Sequence, residues 1–238
     1  MKAKIKEIFI STQGEGPFVG HKQMFIRFCG CNLNCNYCDT DFDAKDCEEY
    51  TPNELLEKIK TFDGFDKIHS ISLTGGEPLL WADFLSEFLT RVKKPIYLET
   101  NATVTKDLNK VFDNIDYVSA DIKLPSSSSI KNSFELHDEF FKAVKFAIIN
   151  CAMTKQYDCY KQRLFAKIVF DENITDEEIK KSVELAKKYD FQIVLQPKMN
   201  GMKLEIPTKV IENVFDKFLN EYENVRLIPQ VHKFLDIQ

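Results

Sequence analysis

Arginine is scarce in this chain. Only positions 27, 91, 163 and 226 carry it among 32 basic residues, and no block of Lys or Arg occurs anywhere. With a formal net charge of −5, the sequence has no basic stripe of the kind that marks a nucleic-acid partner. Long apolar runs are missing too: none approaches the ~20 residues a membrane helix needs. The opening MKAKIKEIFIST is basic, but its apolar stretch is too short for a signal peptide and no small-residue cleavage site follows. The expectation is a cytosolic protein, intact at its N-terminus, with neither membrane nor nucleic acid as a partner. Internal repeats and linkers are also absent. The seven cysteines are odd in number and unevenly clustered, which argues against a secreted disulfide framework.

What is present is an ordinary globular composition, 44% hydrophobic and 29% charged, with 20 Phe and 8 Tyr to build a core. Short β-branched or aromatic runs occur at Glu7–Ile10, Met24–Phe28, Ile68–Leu73, Ile96–Glu99, Tyr117–Ile122, Leu164–Phe170, Phe191–Leu195 and Val225–Ile228. They read as buried strands. Amphipathic helices lie between them. Thr51-Pro52-Asn53-Glu54 and Thr175-Asp176-Glu177-Glu178 are capping boxes. Apolar stripes follow at Leu55, Leu56, Ile59 and Phe62, and at Ile179, Val183 and Ala186. Further stripes run from Trp81 to Val92 and from Val210 to Phe218. The alternation predicts an α/β fold with a mainly parallel sheet and helices outside. In such folds ligands gather at the C-terminal ends of strands. Ser126–Ser129 reads as a flexible surface loop.

After the strand at Met24–Phe28 comes Gly30-Cys31-Asn32-Leu33-Asn34-Cys35-Asn36-Tyr37-Cys38. A compact C-x3-C-x2-C loop can aim three thiolates at three corners of an iron–sulfur cubane. Three ligands leave one iron open to a small molecule, which a catalytic cluster requires. Two other readings stay open at this point. One is a structural zinc site, although Cys35-x2-Cys38 lacks a second ligand pair and His21 and His69 stand alone. The other is an electron carrier with Cys29 or Cys47 as fourth ligand. Cys29 reads better as a small apolar residue on the strand, and Cys47, Cys151 and Cys159 as structural.

Thr74-Gly75-Gly76-Glu77-Pro78 follows the next strand. With the cysteine loop and Tyr37 before its last Cys, this resembles the radical S-adenosylmethionine (SAM) superfamily. The resemblance implies a partial (β/α)6 TIM-like barrel. It divides the chain into an N-terminal substrate-binding extension at 1–22, a core at about 23–200 and a C-terminal extension at about 201–238, all in one domain. Within the superfamily, Thr12-Gln13-Gly14-Glu15-Gly16-Pro17, Arg27, Cys38-Asp39-Thr40, Glu99-Thr100-Asn101 and Gln230-Val231-His232-Lys233 look like the 7-carboxy-7-deazaguanine synthase family. That family makes a queuosine and 7-deazapurine precursor. The implied reaction converts 6-carboxy-5,6,7,8-tetrahydropterin to 7-carboxy-7-deazaguanine with loss of ammonia. A glycyl-radical-enzyme activase is the alternative among enzymes, and a non-enzymatic Fe–S or zinc module the alternative outside them.

The resemblance assigns roles residue by residue. Cys31, Cys35 and Cys38 would hold a [4Fe–4S] cluster. Tyr37, Cys38, Asp39, Gly76, Glu77, Asp121, Ile122, Lys123, Gln196, Pro197, Lys198 and Met199 would hold SAM. Many relatives have Pro-Lys where this chain has Asp121-Ile122-Lys123, so that contact departs from the family pattern. Thr12, Gln13, Gly14, Glu15, Arg27, Thr74 and the terminal Gln238 would hold the pterin, with Arg27 on its carboxylate. Thr40 would ligate Mg²⁺, whose octahedral shell substrate oxygens and water must complete. No side chain is assigned as catalytic, because the radical comes from SAM at the cluster. A flavodoxin or ferredoxin would donate the electron, and the chain would pair as a homodimer. Lys167, set among apolar strand residues, reads as a rim ion pair, since a buried Lys is costly unless paired.

Overall fold

The computed structural model describes residues 1–35, 38, 46–128, 130–154 and 164–237, with the backbone alone at 151–154. In chain order the strands and helices begin with β1 (Ala3–Thr12), β2 (Lys22–Phe28), β3 (Glu48–Tyr50), α1 (Pro52–Lys60), β4 (Ser70–Gly75) and α2 (Ala82–Leu89). Next come β5 (Ile96–Thr100), β6 (Tyr117–Asp121), α3 (Pro125–Ser128), α4 (Ser133–Thr154), β7 (Leu164–Phe170) and α5 (Asp176–Tyr189). The chain finishes with β8 (Gln192–Pro197), β9 (Met199–Asn200), β10 (Lys203–Leu204), α6 (Thr208–Glu221), β11 (Val225–Leu227) and α7 (Val231–Leu235).

Among the described residues the main sheet has nine strands in the order β11-β8-β7-β6-β5-β4-β2-β1-β3. From β2 to β11 every neighbouring pair is parallel, while β1 runs antiparallel to both β2 and β3. Each predicted strand run falls on an observed strand. The capping boxes form as read: Thr51 accepts from the Glu54 N–H and Thr175 from the Glu178 N–H, with both glutamates bonding back.

The strands alternate cleanly between two faces. Met24, Ile26, Phe28, Ile71, Leu73, Ile96, Leu98, Val118, Ala120, Ile168 and Leu195 join the large core under the helices. The opposite face changes along the strands. Near their N-terminal ends Tyr97, Phe165 and Val194 form a small apolar cluster with Phe18, Tyr117 and Ile228 against it. Beyond them the same face becomes polar.

Several expectations are corrected here. Ser126–Ser128 is no loose surface loop. Ser127 and Ser128 are buried in α3, both hydroxyls donate to the Leu124 carbonyl, and Glu178 accepts the Ser126 N–H. Cys29 is not a free apolar residue: it forms a disulfide with Cys47 and so ties the end of β2 to the start of β3. His21 and His69 do not stand alone, their rings packing 4.3 Å apart beside Phe18. Helix α4 went unread because its apolar residues spread around it. Phe140, Phe141 and Val144 are buried, but Phe146 is 67% exposed. The readings for Tyr37, Asp39, Thr40, Ser129, Cys159 and Gln238 fall outside the described residues.

Candidate active site

An open cavity of about 260 Å³ lies over the C-terminal ends of the parallel strands. Each strand contributes its last residues to it: Arg27 from β2, Thr74 from β4, Glu99 from β5, Asp121 from β6, Lys167 and Val169 from β7, and Gln196 from β8. The segment Thr12–Glu15 and residues Gln230, His232 and Lys233 complete the wall.

Cys31, Cys35 and Cys38 form no disulfide and line this cavity, the first two half-buried and the third exposed. Burial pushes the Cys31 and Cys35 thiols above their ordinary value. Two N–H groups reach the Cys31 sulfur: the Leu33 backbone at 3.5 Å and the Asn101 amide at 3.6 Å. The loop is held against β4 by backbone bonds from Gly76 N to Phe28 O and from Glu77 N to Gly30 O, both 2.9 Å. This contact explains the glycine pair. Gly75 has φ +108°, and a Cβ on Gly76 would lie 1.7 Å from the Gly30 carbonyl oxygen. The backbone that comes closest to the glycines is the cysteine loop itself.

Glu77 requires a correction. Expected to orient a ligand amino group, its side chain is fully buried and absent from the cavity wall. Its carboxylate accepts from Leu79 N (3.0 Å), Thr100 Oγ1 (2.9 Å) and Asn101 N (2.8 Å). Burial pushes its carboxyl up to about 7 against those bonds. It braces the ends of β4 and β5. Ile122 and Pro197, two other expected contacts, are buried away from the cavity. Gly76, Asp121, Lys123, Gln196, Lys198 and Met199 do line it. Gln196 is notable, because its buried Oε1 has no hydrogen-bond partner among the described residues.

On the other side, the Gln13 amide was expected to face substrate. Both its N–H groups are instead taken, by Gln23 and Glu99 at 3.0 Å each, and its oxygen accepts the Glu15 N–H. Thr12, Gln13, Gly14 and Glu15 all line the wall. Gly14 is needed for another reason: a Cβ there would lie 2.2 Å from the His232 ring. Arg27 sits opposite Glu7 in the β1–β2 register, donates to it at 3.2 Å and lies 5.8 Å over the Phe9 ring.

Lys167 is a buried ion pair as read, placed in the cavity wall between Glu15 and Asp121. Asp121 also pairs with Lys123 at 2.8 Å, and Glu15 accepts from Gln230 at 2.6 Å. Burial would raise the Glu15 carboxyl, but Lys167 and Gln230 hold it down at about 2. Burial also works against the Lys167 ammonium, yet Asp121, Glu15 and Glu99 keep it well above its usual value. Both groups are therefore charged at neutral pH.

Two contributors were not assigned from the sequence. Glu99 accepts from Ser72 at 2.9 Å and Thr74 at 3.3 Å in addition to Gln13, and burial raises its carboxyl. His137 is fully buried in α4; it accepts the Lys123 N–H at Nε2 (2.8 Å) and faces the Ala102 carbonyl at Nδ1 (3.0 Å). That pattern requires the neutral Nδ1–H tautomer, and burial pushes the ring down to about 4. Glu99 was visible as part of Glu99-Thr100-Asn101. His137 carried no signal, because a single His in an unread helix has no pattern.

Residues 25–205 match the Radical SAM superfamily. Over the full length of both chains, the protein is 36% identical to the 7-carboxy-7-deazaguanine synthase of Archaeoglobus fulgidus. It is 35% identical to that of Geobacter sulfurreducens, over 98% of this chain and 97% of that one. The chain belongs to the radical SAM superfamily and, within it, to the 7-carboxy-7-deazaguanine synthases. A solved structure of QueE from Escherichia coli shares the fold, with TM-score 0.62 and 18% identity over 98% of this chain and 95% of that one.

A radical SAM enzyme implies a [4Fe–4S] cluster and SAM. The residues present fit both. Three cysteines outside the disulfide meet one cavity, an amide N–H is aimed at one of the sulfurs, and a carbonyl oxygen at Gln196 lacks a donor among the described residues. Among the described residues no three His, Cys, Asp or Glu side chains form a group able to hold a single metal ion. None of their helices is long and apolar enough to cross a membrane.

Proposed function

We infer that this chain converts 6-carboxy-5,6,7,8-tetrahydropterin to 7-carboxy-7-deazaguanine with loss of ammonia. One observation carries the reading: three cysteines outside the disulfide share a single cavity with an arginine, an ionised glutamate and a buried carboxylate. A carboxylated pterin offers a matching set of groups. Its amide and amino edge donates hydrogen bonds, which Glu15 and Glu99 can accept. Its carboxylate needs a forked cation, and Arg27 can leave half-exposed Glu7 to supply one.

Cys31, Cys35 and Cys38 would hold a [4Fe–4S] cluster, which with bound SAM would supply the radical chemistry needed to take hydrogen from C6 of the pterin. The protein's own part is placement. Lys167 keeps Glu15 ionised. Asp121, Lys123, Gln196, Lys198 and Met199 form the SAM side of the cavity, with Tyr37 and Asp39 assigned there by the family pattern. Thr12, Gln13, Gly14 and Thr74 complete the pterin side, with Gln238 assigned there by the family pattern. Thr40 joins a Mg²⁺ ion only with substrate oxygens present, since one hydroxyl cannot satisfy its shell. The six parallel strands from β2 to β8 would form the partial (β/α)6 barrel, with 1–22 and 201–238 as extensions of one domain. A flavodoxin or ferredoxin supplies the electron to a cytosolic homodimer.

The test is anaerobic reconstitution with iron and sulfide, followed by turnover with SAM, Mg²⁺ and dithionite. The reading predicts about four irons per chain and a product with the mass of 7-carboxy-7-deazaguanine. Deoxyadenosine formed without that product would sink the substrate assignment.

A further inference from the structure

Asn101 stands where β5 meets the cysteine loop, and every polar atom of its side chain is engaged. Its Nδ2 donates to Asn32 Oδ1 at 2.8 Å and to the Cys31 sulfur at 3.6 Å, within reach for so large an acceptor. Its Oδ1 accepts the Thr103 N–H at 3.1 Å and the Thr103 hydroxyl at 2.6 Å. The Thr103 hydroxyl in turn accepts from Asn32 at 2.9 Å. The backbone N–H of Thr103 can only donate, so the amide cannot turn over. Its NH₂ end must face the sulfur. The Asn101 backbone is pinned as well, by the buried carboxylate of Glu77 at 2.8 Å. A rigid path thus runs from the Gly-Gly-Glu-Pro segment through Asn101 to one ligand sulfur.

We propose that Asn101 is a positioning residue that sets how readily the cluster is reduced, through a fixed N–H donated to the Cys31 thiolate. This rests on the cluster reading above. Adding an electron increases the negative charge on the ligand sulfurs, and a hydrogen bond to sulfur stabilises that charge. Hydrogen bonds to ligand sulfurs are among the groups that set Fe–S potentials. Removing the donor therefore makes the cluster harder to reduce without removing a ligand. Replacing it with a carboxylate goes further, by placing a negative charge beside the sulfur.

The experiment is an EPR-monitored redox titration of the reconstituted full chain, wild type against Asn101→Ala and Asn101→Asp, with iron counted in each. The expected result is unchanged iron and a more negative midpoint for Asn101→Ala. We expect about a tenfold loss in the reduction equilibrium, which is 59 mV for one electron, and a larger loss for Asn101→Asp. Variants with full iron and the wild-type midpoint overturn the proposal. Should a variant lose its cluster, the wild type still decides. Protein labelled with ¹⁵N at asparagine side chains should show a weak nitrogen coupling in pulsed EPR of the reduced cluster. No such coupling overturns the proposal too. Wild-type protein that binds no iron overturns the cluster reading itself, and this inference with it.

Discussion

Lys167 and Ile168 are neighbours on β7, and they face opposite ways. Ile168 is fully buried in the core under the helices. Lys167 is almost as buried, yet its neighbours are Glu15 and Asp121. The same alternation repeats on β5 with Leu98 and Glu99, and on β2 with Ile26 and Arg27. One face of the sheet is assembled by apolar contact. The other holds charges that burial alone would disfavour, each kept by a partner of opposite sign or a hydrogen-bond donor. The lesson is a division of labour across a single layer of backbone: substitutions on the helix face should cost stability, and substitutions on the cavity face should cost chemistry.

The largest expected break in that comparison lies where the faces meet. Gly76→Ala would force a Cβ into the Gly30 carbonyl, pushing the cysteine loop off β4. Turnover should fall by about a hundredfold or more, the scale on which small misplacements act, and iron per chain should fall with it. Next comes the pair on β7. Lys167→Met should lower turnover by about tenfold or more and lower the thermal midpoint as well, because it leaves the Glu15 and Asp121 carboxylates buried without their cation. Ile168→Ala should cost about 2–5 kcal/mol of unfolding free energy with little loss of turnover per folded molecule. Chemical denaturation and a turnover assay on both variants would show whether the division holds.

Much of the helix face was readable beforehand. Phe, Ile, Leu and Val recur at strand and helix periods, and Thr51 and Thr175 mark helix starts by chemistry that acts within four residues. The cavity face was legible only where a motif named it: the three cysteines, Arg27, Glu15 and Gly76. Glu77 was misjudged because sequence shows a carboxylate but not which donors reach it across 23 residues, at Thr100. Gln13 does line the wall, but its bond to Glu99, 86 residues away, could not be read from the sequence. The Cys29–Cys47 bond and His137 are likewise products of tertiary proximity.

Acid should separate contributions from the two sides in order. His137 is held neutral, with its ring at about 4 rather than 6.5. Its stabilisation is complete above about 6.5 and is lost as pH falls toward 4, worth up to about 3 kcal/mol. Glu15 is held at about 2 rather than 4.5, so its contribution is lost only as pH falls from about 4.5 toward 2. Glu77, held at about 7, works the other way and gains stability as pH falls from about 7 toward 4.5, so the two losses are read as differences in thermal midpoint between wild type and variants. His137→Gln should flatten the first and Glu15→Gln the second. The smallest effect belongs to the periphery: Thr175→Ala removes one cap of α5 and should cost about 1 kcal/mol, with turnover unchanged.

The central claim is that the cavity face brings the cluster and a pterin together for hydrogen transfer. The most direct measurement uses 6-carboxytetrahydropterin deuterated at C6, with mass analysis of the 5′-deoxyadenosine formed by the reconstituted protein and of the recovered SAM. Conversion with loss of ammonia alone is redox-neutral, so the abstracted hydrogen must be given back; the account predicts deuterium in the deoxyadenosine that escapes and in the recovered SAM. Deoxyadenosine that remains unlabelled while the pterin is consumed would contradict it.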